Sequence, residues 1–147
     1  MLATRFFTKK AQSLIKDAIE EAEMNTSGEI RVHIDNICRE DVLDRAAWWF
    51  EKLEMHRTAQ RNGVLFYMAV SDRKFAILGD TGINAKTGEN FWDQIKDEME
   101  KHFMKNEFTE GLRKGILMAG EQLKKHFPYQ SDDVNELSDE ISFGDQL

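Results

Sequence analysis

Asp80 lies in the run Ala76-Ile77-Leu78-Gly79-Asp80-Thr81-Gly82-Ile83-Asn84, a carboxylate between two glycines just past an apolar stretch. With Lys86-Thr87 behind it, the run has the outline of a phosphate-binding loop. That loop needs G-x-x-x-x-G-K-[ST], so that bare backbone N–H groups wrap the phosphates. Here Ala85 replaces the glycine before the lysine, and Asp80 replaces the first glycine. A carboxylate aimed at a triphosphate repels it, so the pattern argues against nucleotide hydrolysis. The run offers oxygen ligands instead. Asp80, Thr81 and Asn84 are the donor types that hard cations such as Ca²⁺ or Mg²⁺ accept. The flanking glycines are expected to permit positive-φ turns that bend backbone carbonyls inward.

The surrounding elements decide what joins Asp80. Residues 5–24 place Phe7, Ala11, Leu14, Ile15, Ala18 and Ala22 on one helical face. Asn25-Thr26-Ser27-Gly28 breaks that helix. Residues 29–35 alternate Ile30, Val32 and Ile34 with Glu29, Arg31 and His33, which is strand periodicity. Asp41 is placed to cap a helix running to about His56. Residues 64–70, Val-Leu-Phe-Tyr-Met-Ala-Val, read as a strand buried on both faces. A turn at 71–73 and a strand at 74–79 complete a hairpin. Helices are predicted at about 89–104 and 107–126. Gly111 and Gly115 stand four apart on the second of these, which predicts a close helix contact.

The fold class is therefore α/β: a central mixed β-sheet with a βαβ crossover and a hairpin, helices on both faces. A helix between the first two strands makes them parallel. The start of those two strands then shares an edge with the end of the third. Ser27-Gly28-Glu29, Gln60-Arg61-Asn62, Asp80-Thr81 and Asn84 are expected to meet there. Glu29, Asn62, Asp80, Thr81 and Asn84 are the candidate metal ligands. The alternative is that Asp80 caps the turn while Glu29 pairs with Arg61 or Arg31.

The chain has 147 residues, 41% of them hydrophobic and 32% charged, with a net charge of −7. That suits one domain with a real core. Six acids and no Lys or Arg fall within 129–147, so the rest is close to neutral. No basic stripe marks a nucleic-acid partner. The domain is expected to span 1–128, with 129–147 an acidic, flexible tail in which Val134, Leu137 and Ile141 offer a short docking helix. The longest apolar run, Val64–Val70, is far short of a membrane span. The first residues lack a signal-peptide core. A cytoplasmic monomer without direct membrane insertion is expected. Cys38 is the single cysteine, so no internal disulfide forms. Asp44 stands where a Cys-x5-Arg phosphatase loop needs arginine. Arg-His-Gly, Asp-x-Asp and H-E-x-x-H runs do not occur. Any phosphatase chemistry would have to be metal-assisted, with Arg61 and Asp80 as its candidate residues and Arg61 as bidentate phosphate donor.

Five blocks in order carry a resemblance: Ser27 to Ile34, Arg61 to Val70, Asp72 to Asn84, Phe91-Trp92, and the late Phe103, Phe108, Glu110-Gly111-Leu112, Gly115-Ile116. Together they resemble the TPM domain, shared by a thylakoid lumen protein, a photosystem II repair protein and a nematode receptor modulator. The resemblance covers about residues 8–128. It implies an α/β sandwich and divalent-cation binding and, for plant members, acid phosphatase activity. It also implies a soluble bacterial branch whose members accompany LemA-type membrane proteins, an expected partner. Gly82-Ile83-Asn84 stands where most members carry G-L-E.

Overall fold

The computed structural model describes residues 3–88, 90–129 and 135–144. Its helices are α1 (Ala3–Phe6), α2 (Lys9–Glu23), α3 (Val42–Lys52), α4 (Thr81–Lys86), α5 (Asp93–Met104) and α6 (Phe108–His126). Its strands are β1 (Glu29–Asp35), β2 (Gly63–Ala69), β3 (Lys74–Gly79) and β4 (Ser142–Phe143). One sheet holds them in the order β3-β2-β1-β4. β1 and β2 are parallel, from Glu29 opposite Gly63 to Asp35 opposite Ala69. β2 and β3 are antiparallel, from Val64 opposite Gly79 to Ala69 opposite Lys74. The mixed sheet, the crossover through α3 and the hairpin are those the sequence predicts.

Strand alternation sorts the two faces. Ile30, Val32 and Ile34 of β1 join Val64, Phe66 and Met68 of β2 under α2, α5 and α6. On the other face Leu65, Tyr67 and Ala69 meet Ala46, Trp49 and Phe50 of α3. β2 is buried along its whole length, which accounts for its unbroken apolar run. A Cβ on Gly111 would stand 2.5 Å from the Phe103 ring, and one on Gly115 would stand 2.4 Å from Met99 Sδ. These two glycines let α5 close onto α6, as their spacing predicts.

Several boundaries differ from the sequence reading. The first helix is split: Thr8 Oγ1 accepts from the Ala11 N–H at 3.0 Å and caps α2. Leu14 is 38% exposed rather than inward. α3 stops at Lys52, and Glu54 turns left-handed (φ 59°) before a 3-10 turn at Met55–Arg57. The run after Asp80 is not an open loop but helix α4. No described glycine has positive φ. Gly82 is required for another reason: a Cβ there would stand 2.1 Å from the Gln60 carbonyl oxygen.

The sheet does not end at Pro128. Residues 135–144 lie against it, with Ser142 opposite His33 and Phe143 opposite Ile34 in parallel register. Leu137 is buried beside Met55 and Leu65, and Phe143 under the three-helix face. Ile141 packs at the edge of that core; Val134 is outside the described residues. The described part docks through irregular backbone and the two-residue strand β4, not as the short helix its spacing suggests. Each buried apolar side chain contributes roughly 1.5–3 kcal/mol as an upper estimate. No helix among the described residues is long and apolar enough to cross a membrane.

Candidate functional site

The strand ends meet at one edge as the topology requires. The Glu29 N–H donates to Asn62 O at 3.3 Å, the Asp80 N–H to Gly63 O at 3.0 Å, and the Gly82 N–H to Arg61 O at 2.9 Å. Ser27 Oγ accepts from Gln60 Nε2 at 3.1 Å and from Asn62 Nδ2 at 3.4 Å. The side chains, however, divide between two cavities. Asp80, Thr81 and Asn84 line one of about 400 Å³ with Arg61 and His56. Glu29 lines another of about 290 Å³ with Glu20, Glu23 and Asp139. Asn62 lines neither; it is buried, and its Oδ1 has no partner.

In the first cavity Asp80 is already engaged. Its Oδ1 accepts the Thr81 N–H at 2.7 Å and caps α4. Arg61, held left-handed at φ 52°, closes a fork on it: Nε to Oδ2 at 2.8 Å and Nη2 to Oδ1 at 2.9 Å. Capping and pairing are what Asp80 does here. Glu29 pairs with neither arginine. Its carboxylate accepts the Glu136 N–H at 2.8 Å and the Leu137 N–H at 2.7 Å, which ties the C-terminal segment to β1.

The second cavity is unusual in its charge. Burial, then a hydrogen bond shared with Asp139, pushes Glu23 up to about 9, against the Ile30 N–H that favours its charged form. Burial pushes Glu29 up to about 7, against the amides of Leu137 and Glu136. Asp139 Oδ1 is buried, and no N–H or hydroxyl group donates to it. Two carboxyl groups thus face each other with only a proton or a cation able to join them. Asn25, Thr26, Ser27 and Asn135 line the same cavity. Among the described residues no three His, Cys, Asp or Glu side chains form a ready metal cage.

A third polar cluster escaped the sequence reading. Asp35 Oδ2 accepts from Tyr67 Oη at 2.7 Å and Trp49 Nε1 at 2.9 Å, with Arg45 Nε at 3.4 Å. Its Oδ1 lies 3.0 Å from His33 Nε2, and His33 Nδ1 lies 2.9 Å from Ser142 Oγ. Burial alone would raise the Asp35 carboxyl, but the hydrogen bonds from His33, Tyr67 and Trp49 outweigh it and hold it low. Burial lowers His33, so the ring is neutral. The carboxylate accepts a hydrogen bond from Nε2–H, which leaves Nδ1 bare to accept from the Ser142 hydroxyl. The order Ser–His–Asp is that of a hydrolase relay, but Ser142 is only 7% exposed and lines neither cavity. The cluster is a lock between β4 and β1. Its signal in the sequence is His33-x-Asp35, one face of a strand whose neighbour is apolar throughout.

Residues 3–122 match the family model described as the TPM domain. The chain belongs to the TPM domain family. Its fold agrees: the BA42 protein from the psychrophilic bacterium Bizionia argentinensis superposes at a TM-score of 0.90, with 45% identity over 95% of this chain and 97% of that one. The N-terminal domain of a protein from P. gingivalis shares the fold at a TM-score of 0.70 and 16% identity, over 86% of this chain and 83% of that one. The N-terminal domain of a Corynebacterium glutamicum protein does so at 0.63 and 14%, over 90% and 83%. No curated protein matches the chain. The match to the TPM domain stops before the C-terminal segment, so Asp139 and Ser142 lie outside it.

Proposed function

We propose that this TPM-domain chain binds a divalent cation, Ca²⁺ or Mg²⁺, and acts as an accessory or binding protein alongside a LemA-type or other membrane protein. The observation that carries the reading is the pair Glu23 and Asp139, two carboxyl groups that share one hydrogen bond and that only a proton or a cation can join. A hard cation supplies the missing positive charge and takes the neutral oxygens around it. Glu29 is the member of the expected ligand set that lines this cavity. The rest of that set gives a second reading: Asp80, Thr81 and Asn84, with Asn62 nearby, around the cavity of about 400 Å³.

Saturating Ca²⁺ should raise the melting temperature, because a ligand held only by the folded state adds about 2.7 kcal/mol at 100-fold over its Kd. Asp139→Asn should remove that response and Asp80→Asn should keep it. The reverse pattern moves the cation to the Asp80 cavity. No response to millimolar Ca²⁺ or Mg²⁺ ends the proposal.

The competing reading is a metal-dependent acid phosphatase working through Arg61 and Asp80. Those two side chains are bonded to each other, so neither is free to act on a substrate. The purified protein should therefore not hydrolyse a phosphate monoester above background with Ca²⁺, Mg²⁺ or Mn²⁺. Hydrolysis abolished by both Asp80→Asn and Arg61→Ala, in folded variants, would establish the phosphatase instead.

A further inference from the structure

We propose that the outer edge of β1 is a strand-accepting site for an extended partner segment of hydroxyl–aromatic–glycine chemistry, which residues 135–144 of the chain itself occupy as a tethered resident. The site is built on the domain side. Glu29, at the start of β1, reads two successive backbone N–H groups, those of Glu136 and Leu137. At the far end His33 offers a bare Nδ1 to a hydroxyl, filled by Ser142. Its ring is stacked 3.7 Å from Trp49, and its partner Asp35 is held by Tyr67 and Trp49, none of which belongs to the segment. The reader is therefore fixed before anything docks. Phe143, 5% exposed, fills the apolar slot after the hydroxyl. Next comes a steric filter: a Cβ on Gly144 would stand 2.0 Å from Asp35 Oδ1, an atom too tightly bonded to move aside. The resident thus states what the edge selects: a leucine, then after four residues Ser-Phe-Gly, running parallel to β1.

The resident's backbone pairing is narrow, although the segment is also held at Glu29, His33, Ala59 and Lys16. Only two of its residues pair in the sheet, and Asn135, Glu136, Ser138 and Glu140 are exposed. An unpaired strand edge is a template for another chain, and adding a strand to it is a common mode of peptide recognition. Five residues, 130–134, separate Tyr129 from the docked segment. Covalent linkage gives the segment a local concentration on the order of millimolar, so the resident suppresses a partner without abolishing it.

The test uses the full chain. Hydrogen exchange of the wild type should show the amides of Glu136, Leu137 and Phe143 opening at least about 100-fold faster than that of Phe66 in β2, as a local release requires. Gly144→Val should eject the resident. A labelled peptide of residues 135–144 should then bind this variant at least about tenfold tighter than the wild type, which still carries its competitor. The same peptide with Ser142→Ala or Gly144→Val should lose at least about tenfold in affinity. Equal protection of the segment and β2 would overturn the proposal, since the edge would open only on global unfolding. So would equal binding by the altered peptides. A Gly144→Val dimer that takes up no peptide would assign the edge to a second copy of the chain and not to a partner.

Discussion

Asp35→Ala should destabilise the protein by about 3–5 kcal/mol, the range for removing one partner of a buried charged cluster. Asp35 is 4% exposed. Its loss leaves Tyr67 Oη, Trp49 Nε1 and His33 Nε2 without an acceptor, each inside the α3 face of the sheet. An orphaned buried donor costs about 1–3 kcal/mol, and three share this site, so even partial relaxation leaves a large deficit. The loss should also reach the C-terminal segment, because the His33 tautomer that accepts Ser142 is set by Asp35. Asp35→Asn keeps one acceptor oxygen and should fall between wild type and alanine. Urea unfolding of the three proteins at pH 7 decides the matter. An alanine deficit below about 1 kcal/mol would show that the donors find other partners.

The same cluster shows where the sequence is legible and where it is not. β1, β2 and β3 announce themselves through periodicity, and their parallel and antiparallel pairing follows from the helix and the short turn between them. The long helices are equally plain. β1 misleads in one respect. Its alternation of Glu29, Arg31, His33 and Asp35 with apolar residues is the pattern of a half-buried strand, yet β1 lies inside the sheet and both its faces are covered. Glu29, His33 and Asp35 are buried because they have partners on α3, β2, β4 and the segment before β4, while Arg31 is half-buried with its Nε unpartnered. Partners distant in sequence leave no local trace.

Two further elements were hidden by their size. α4 has six residues, one of them glycine, so its helical preference is weak; it exists because Asp80 caps it and Gly82 lets it close on Gln60. β4 has two residues in an acidic stretch, too few for any period to show. The meeting of Ser27, Asn62 and Asp80 at one edge was legible, because topology fixes where backbones go. The division of Glu29 and Asp80 between separate cavities was not, because it depends on where each carboxylate finds donors. Glu29 finds amides of a segment more than a hundred residues away.

The carboxyl groups around Glu29 give a pH dependence whose sign is set. Glu23 is raised from 4.5 to about 9, and Glu29 from 4.5 to about 7, each first by burial. Above pH 4.5 the unfolded chain releases these protons while the folded protein keeps them. The folded state then binds more protons, so stability falls as pH rises. The decline should begin near pH 4.5, be steepest up to about 7 where both groups contribute, and run on to about 9 through Glu23. Glu23→Gln isolates the effect. Its amide oxygen can still accept the Ile30 N–H, now taken by Glu23 at 2.8 Å, and its NH₂ can donate to Asp139. At pH 8 this variant should be more stable than the wild type by about 1–3 kcal/mol, a figure discounted from the full linkage because the cavity is open to solvent. At pH 4.5 the two should be nearly equal. Divalent cation should reproduce the gain in the wild type, since it occupies the place of the protons, and its affinity should rise with pH for the same reason. Thermal unfolding of both proteins at several pH values, with and without Ca²⁺, measures each of these. Wild-type and Glu23→Gln stabilities that stay parallel from pH 5 to 9 would mean that Glu23 carries no retained proton, and the carboxyl pair would lose its claim as the cation's seat.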